Sequence, residues 1–556
     1  MLKWVMNPYL QSGKAFCSML NNLSGMKKIW TLFYFFATML IVCGQHTLMA
    51  QGGKKPVKPF NILFAISDDQ SYPHASAYGQ KTFRTPVFDS IAASGILFNN
   101  AFVAAPQCSP SRAAILTGRH IWQLEEAGTH ASLFPKKFPV FTDVLENEGY
   151  FIGYTGKAWA PGNFANAGWT RNPVGPAYNA KLLSSLPTKG ISKTDYAANF
   201  KIFLSEKPSD KPFFFWYGAN EPHRNYEEGS GAAAGLTDEG LIVPPFLPNN
   251  QLVKNDMLDY ALEIEWFDKQ LGKMLQLLAE AGELEHTIIV VTADNGMPFP
   301  YAKANLQEYG IHVPLAICGP IVKGEQRTAD DLVSLIDLAP TFLDIAGAKQ
   351  FGGITGKTLM PILTLSDSGK ISPADQYILA GRERHSHARP DNVGYPARAI
   401  RTRKYLYIEN FKPNRWPMGD PAPLQQVSIS DNANMKPILL GYEDIDDSPT
   451  KAFMAKSQSK LPELFSLGFE KRGRSELYDI ETDPYCLHDL SSSADMQAIR
   501  TQLKNELEKK LIEQGDPRMT GNGDIFDSYP RFGLMRPFEG FKERGKYNPA
   551  FMNRNN

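Results

Sequence analysis

Cys108 opens the run Cys108-Ser109-Pro110-Ser111-Arg112, which continues Ala113-Ala114-Ile115-Leu116-Thr117-Gly118. Ser109 suits a helix N-cap and Pro110 the first helical position, so a helix is expected to begin here. The free N–H groups and positive dipole end of such a helix, joined by Arg112, would cradle a tetrahedral oxyanion. Cys108 stands just before that cradle, where a nucleophile belongs. Taken alone, the residue also reads as a buried structural cysteine.

Four more polar clusters each close a short apolar run. Ile66 is followed by Ser67-Asp68-Asp69, Tyr154 by Thr155-Gly156-Lys157, Tyr217 by Asn220-Glu221-Pro222-His223, and Thr292 by Asp294-Asn295-Gly296. Any one of them is a plain cap or turn. Four together, at the carboxyl ends of strands in an open parallel sheet, mark a ligand site. Asp68, Asp69, Asp294 and Asn295 are hard oxygen donors, and such a set suits Ca2+ better than zinc, which would call for histidines.

The elements that must position these groups are legible as continuous apolar runs. Asn61–Ile66, Tyr150–Tyr154, Pro212–Tyr217 and Thr287–Thr292 read as strands buried on both faces. Met257, Ala261, Ile264, Leu271, Leu275 and Leu278 mark one face of a long amphipathic helix. Together they predict an α/β fold with a large, mostly parallel sheet sandwiched by helices, over residues 55–372. From 373 to 556 the pattern predicts a smaller α+β domain on a short antiparallel sheet. There Ala397–Asn410 and Ser475–Ile480 read as strands and Lys412–Leu461 as a long loop. A final helix carries Met496, Ile499, Leu503, Leu507 and Leu511, and Gly515 and Pro517 end it. Arg382, Arg384, His385, His387, Arg389 and Arg398 form a basic cluster, either a receptor for acidic polysaccharide or a solvated, partly paired loop.

The chain has 556 residues, 43% hydrophobic, with 58 basic and 58 acidic side chains. The composition is that of a globular protein, and the zero net charge leaves no global field for nucleic acid or an anionic membrane. Lys27-Lys28, the apolar run Ile29–Val42 and a small-residue region ending near Ala50 have the parts of a secretory signal, with Met19 or Met26 as an alternative start. Residues 1–50 are therefore read as signal peptide and N-terminal extension of an exported protein, periplasmic or secreted, with no stable membrane insertion after signal removal. Cys43 offers a weak match to a lipoprotein box. Without that segment three cysteines remain, Cys108, Cys318 and Cys486, an odd set that is no disulfide scaffold and leaves at least one thiol free or altered.

On these residues the chain resembles the sulfatase family, of the alkaline-phosphatase-like fold. Cys-x-Pro-x-Arg and its Leu-Thr-Gly sequel are similar to the family signature, whose cysteine is oxidised to formylglycine by a maturation enzyme. Ser67-Asp68-Asp69 and Asp294-Asn295-Gly296 are similar to its metal motifs, and Leu335–Thr341, Glu476–Asp479 and Asp483-Pro484 to its structural segments. Asp294–Pro300 and Glu221-Pro222-His223-Arg224 resemble the sulfamidase (N-sulfoglucosamine sulfohydrolase) branch. The resemblance implies Asp68, Asp69, Cys108, Asp294 and Asn295 around Ca2+, with residue 108 as formylglycine, and Arg112, Lys157, His223 and Lys303 around the sulfate. It implies a hydrated aldehyde attacking sulfur in line and then expelling sulfate, where a thiol would be trapped as a stable product. A sulfated saccharide is the implied substrate: N-sulfated glucosamine of heparin or heparan, or an O-sulfated host or algal glycan. A zinc phosphodiesterase of the same fold and a non-catalytic glycan-binding protein are the rival readings. Two positions depart from the pattern. Lys303 stands where sulfamidases carry arginine, and Trp159 where sulfatases place a histidine two residues after the lysine. His120 and His130 are the candidates to replace that imidazole.

Overall fold

In chain order the strands of the larger sheet are β1 (Asn61–Ser67), β2 (Ile96–Phe102), β3 (Phe151–Gly156), β4 (Phe213–Gly218), β5 (Thr287–Ala293), β6 (His312–Cys318), β7 (Arg327–Ala329) and β8 (Val333–Ser334). They come from a computed structural model that describes residues 59–372, 376–421 and 441–532. The expected signal segment, with Lys27, Lys28, Ala50 and Cys43, lies outside the described residues. The spatial order is β3–β4–β1–β5–β6–β2–β7, with β8 also on β2. Only β6 runs against the others, pairing antiparallel with β5 and β2.

Every residue of β1 is buried, and its side chains alternate between two cores. Ile62, Phe64 and Ile66 join a core with Ala113, Phe141 and Phe342; Leu63 and Ala65 join one with Phe88, Phe200 and Leu271. A strand covered by helices on both faces has no polar face to offer, which is why it reads as an unbroken apolar run. The long helix is Gln251–Glu280, capped by the Asn250 side chain, which accepts from Val253 N at 3.0 Å. Register then brings the polar clusters together. Ile66 is level with Gly218 and Thr292, and Gly156 with Gly218. Asp68, Lys157 and Asp294 thus leave the sheet side by side. Gly218 is required here: a Cβ on it would lie 1.8 Å from Lys157 O.

The second sheet is antiparallel, in the order β12–β11–β10–β9, from β9 (Tyr377–Arg382), β10 (Ala397–Thr402), β11 (Tyr405–Asn410) and β12 (Ser475–Asp479). Helix Gln497–Glu513 covers β10 and β11 and buries Leu503, Leu507 and Leu511. Among the described residues no helix is long and apolar enough to cross a membrane.

Four expectations need correction. The Cys108 helix spans Cys108–Thr117, with extended Gln107 at its N-cap, so Ser109 is not the cap; its Oγ accepts from Ala131 N at 3.0 Å instead. Ala397–Asn410 is a hairpin of two strands, broken where Thr402 Oγ1 accepts from Tyr405 N. Lys412–Leu461 is not all loop: Pro449–Lys456 is a helix, and Pro462–Phe469 forms another just beyond. Proline there starts helices, since its missing N–H costs nothing in the first turn. Lastly, the basic cluster is neither a solvated loop nor an open receptor. Arg382, Arg384, Arg389 and Arg398 are buried, Arg382 and Arg389 against Asp444 and Arg398 against Glu383 and Asp516.

Candidate active site

Asp68 and Asp69 follow β1, and Asp294 and Asn295 follow β5. Cys108 enters from the first turn of its helix. Ligand atoms of Asp68, Asp69, Cys108 and Asp294 all lie within 4.8 Å of one another, and all four residues are buried. Cys108 Sγ donates to Asp68 Oδ1 at 3.3 Å. Asp69 sits in the left-handed region at φ 75°, where its N donates to Asp294 Oδ1 at 3.1 Å and its Oδ1 accepts from Asn295 Nδ2 at 2.6 Å. That left-handed backbone turns Asp69 toward Asp294 and Asn295.

Each of the three carboxylates is paired with a cation, and one of these cations is shared with a fourth carboxylate, Asp446. Arg112 Nε is 2.7 Å from Asp294 Oδ2, with neither side chain exposed. Lys157 pairs with Asp68, and Lys303 Nζ lies 2.7 Å from Asp69 Oδ2 and 2.8 Å from Asp446 Oδ2. Arg112 Nη1 is fixed further by the carbonyls of Lys157 and Ala158, while its Nη2 is buried without a partner. Burial raises the Asp68 pKa, but Lys157, aided by His223, Arg112 and Lys303, outweighs it and holds the group well below the carboxylate range. Asp294 goes the other way, to about 7, because burial and the charge on Asp68 outweigh Arg112. Burial and Asp68 push the Cys108 thiol far up, so it stays protonated and is a poor nucleophile as it stands.

His223 is one-third exposed, with Nδ1 2.6 Å from Arg224 O and Nε2 3.8 Å from Asp69 Oδ2. A carbonyl only accepts, so the ring hydrogen is on Nδ1 and Nε2 faces the site. The loop is anchored twice. Asp68 N donates to Glu221 O, and the Arg224 guanidinium is bidentate to Asp256 at 2.6 and 2.8 Å while donating to Pro298 O. Arg224 therefore clamps the two segments that resemble the sulfamidase branch against each other.

All nine expected site residues, Asp68, Asp69, Cys108, Arg112, Lys157, His223, Asp294, Asn295 and Lys303, thus meet in one contact network. The two substitute histidines separate. His120 stacks on Trp122 and faces Thr355 and Arg398, away from the acidic cluster. His130 sits next to Ala131, which is bonded to Ser109 beside Cys108. Trp159 is buried, its Nε1 donating to Ser109 O at 3.1 Å and its ring edge-on to Phe134, so this position supplies packing and no acid or base. Asp446 escaped the sequence reading. It lies in the acidic stretch Glu443-Asp444-Ile445-Asp446-Asp447, whose density was visible, but nothing local assigns it to a lysine 143 residues away.

The arrangement fits a divalent cation. Asn295 Oδ1 is buried and has no hydrogen-bond partner, an orphaned acceptor beside three carboxylates. The four-residue group offers three carboxylates and one sulfur, and His223 joins two further groups, one with Asp68 and Cys108 and one with Asp69 and Asp446; the excess of oxygen donors favours a hard cation over zinc.

These features are those of a sulfate-ester or sulfamate hydrolase on a mixed α/β sheet, and the chain belongs to the sulfatase family, whose model matches residues 60–348. The C-terminal model of N-sulphoglucosamine sulphohydrolase matches residues 300–439. Human N-sulphoglucosamine sulphohydrolase is 27% identical over 499 residues, covering 83% of this chain and 91% of its own. An ulvan-active sulfatase of Formosa agariphila is 26% identical over 490 residues, covering 83% and 76%. The fold matches the structure of BT4656 in complex with its substrate D-glucosamine-2-N,6-O-disulfate, with TM-score 0.57, 20% identity, and coverage of 83% of this chain and 99% of the other. The α/β class with a smaller antiparallel sheet is thereby borne out.

Proposed function

We propose that this enzyme removes sulfate from a sulfated amino sugar, N-sulfoglucosamine of the heparin or heparan type. In this reading residue 108 works as formylglycine and Asp68, Asp69, Asp294, Asn295 and residue 108 hold Ca2+. The observation that carries it is the pairing of three buried carboxylates with Arg112, Lys157 and Lys303 around a protonated Cys108. With Asp446 also on Lys303 the site holds four carboxylates against three basic side chains, an acidic balance that suits a dication. The sulfamidase C-terminal match and the human relative support the N-sulfated sugar; the ulvan-active relative favours an O-sulfated algal glycan as the second reading.

Formylglycine, installed by a maturation enzyme, supplies a hydrated aldehyde as oxygen nucleophile, and the dication supplies a lowered hydroxyl pKa and charge stabilisation at the sulfate. The chain's own residues do the rest. Arg112, Lys157 and Lys303, freed from the carboxylates, neutralise sulfate oxygens as charge builds on them. Arg112 Nη2, already without a partner, is the ready donor. With Nδ1–H held by Arg224 O, His223 serves the leaving nitrogen or oxygen as an acid in its imidazolium form, which carries a second proton on Nε2. Water closes the cycle, giving sulfate and the free amine or alcohol. The expected N-terminal signal supports a site of action outside the cytoplasm.

Mass spectrometry of the residue-108 peptide from the native host, joined to a sulfate-release panel of N-sulfoglucosamine, glucosamine 6-O-sulfate and ulvan oligosaccharides, tests the reading. An aldehyde at 108 and preference for the N-sulfated sugar are expected. An unmodified thiol in active enzyme would overturn the nucleophile, and preference for ulvan fragments would overturn the substrate.

A further inference from the structure

His130 is buried beside the site and has no part in the chemistry above. Its place is set from two sides. Its own N donates to Arg384 O, and the next residue, Ala131, donates from N to Ser109 Oγ at 3.0 Å. Ala131 is in the left-handed region at φ 56°, so the chain turns sharply right after the imidazole. The ring packs edge-on against His385, 4.5 Å between centroids, and Nδ1 lies 3.0 Å from His385 O. That carbonyl is itself pinned by Arg531 Nε at 3.2 Å. Since a carbonyl has no proton to give, Nδ1 carries the hydrogen and Nε2 holds a lone pair. No described residue bonds Nε2. Burial, followed by His385, Arg531, Lys303 and Lys157, keeps the ring neutral, and the last two are the ammonium groups that also act on the Cys108 thiol.

An imidazole locked as a neutral acceptor, within the field of Lys157 and Lys303, suits a donor on the substrate. Resting on the sulfatase reading above, we propose that His130 is a substrate-binding residue whose Nε2 accepts a hydrogen bond from a hydroxyl or N–H of the sugar bearing the scissile sulfate. The site then reads two parts of its ligand: anionic oxygens by Arg112, Lys157 and Lys303, and a sugar donor by His130. Sulfate alone, or a sulfate on a flat aromatic group, would satisfy only the first.

The test compares wild type, His130→Ala and His130→Gln on N-sulfoglucosamine, glucosamine 6-O-sulfate and 4-nitrophenyl sulfate. His130→Ala is expected to lower kcat/KM on the better sugar by tenfold or more beyond any loss on the aryl sulfate, mostly through KM, because the sugar's donor is left unpaired. Glutamine, which keeps an acceptor near the Nε2 position, is expected to recover much of it. Equal losses on sugar and aryl substrates, or a glutamine variant no better than alanine, would overturn the proposal. If wild type ignores the aryl sulfate, the KM-against-kcat split and the glutamine rescue decide alone. Wild-type protein that releases sulfate from none of the three overturns the parent reading, a result distinct from failure of His130 alone.

Discussion

Replacing Lys303 by methionine separates the cation's two duties, pairing acids and binding sulfate. The ammonium lies 2.7 Å from Asp69 and 2.8 Å from Asp446, and all three side chains are nearly or fully buried. Methionine keeps the volume and removes the cation that two buried carboxylates share, which costs about 3–5 kcal/mol. For a chain of this size the unfolding entropy is on the order of 1 kcal/mol per kelvin, so Tm should fall by only about 3–5 °C. The catalytic loss should be far larger. Removing one preformed donor to a developing oxyanion typically costs 10²–10³ in kcat. Calcium then gives the deciding sign. In metal-free wild type the Lys303 ammonium competes for Asp69; in the variant only the neutral Asn295 amide and the more distant His223 remain on it, so saturating calcium should raise Tm more in Lys303→Met than in wild type. Lys303→Arg should recover most of the turnover, since a guanidinium can serve both acids. Thermal unfolding with and without calcium, beside sulfate-release kinetics, reads all three effects. Wild-type kcat in the methionine variant, or a smaller calcium-induced gain than in wild type, would refute the reasoning.

Cys108→Ala should abolish sulfate release while the fold and calcium-induced stabilisation persist; substantial turnover in that variant would remove Cys108 from the mechanism. Asp294→Ala should lose calcium binding and activity together, measured by calorimetry and sulfate release, because Asp294 also fixes Asp69 N and Arg112. Glu263, inside the long helix, has both carboxylate oxygens buried without partners, and burial, with Glu221 and Asp259, raises its pKa to about 9. A raised folded pKa means stability is full below the unfolded value near 4.5 and erodes as pH climbs toward 9. The change is up to about 1.4 kcal/mol per pH unit. Glu263→Gln should therefore gain on wild type steadily from pH 5 to 9 in denaturant titrations; a pH-independent difference would contradict this.

Much of the sheet and of the site was legible because it is locally encoded. A strand buried on both faces must be apolar throughout, so β1, β3, β4 and β5 announced themselves, and the polar residues that stop each run are those that leave the sheet at its ligand-binding edge. The Cys108 helix was marked by Pro110 in its first turn, although Ser109 is not its cap, and the face of Gln251–Glu280 follows from its period. Prolines misled between 412 and 461, because the same ring that breaks a helix interior begins a helix at its first turn.

Pairings across hundreds of residues are another matter. That Arg112 serves Asp294 and Lys303 serves Asp69 and Asp446, that His130 lies by Cys108 while His120 does not, and that the arginines of the second sheet are sunk against Asp444, Glu383 and Asp516 are facts of the folded chain. Residue types and spacing decide which groups are available and which elements carry them, since those depend on near neighbours. Which charge meets which is decided when the sheet registers and the second sheet docks, because only then does burial force every ion to find a partner.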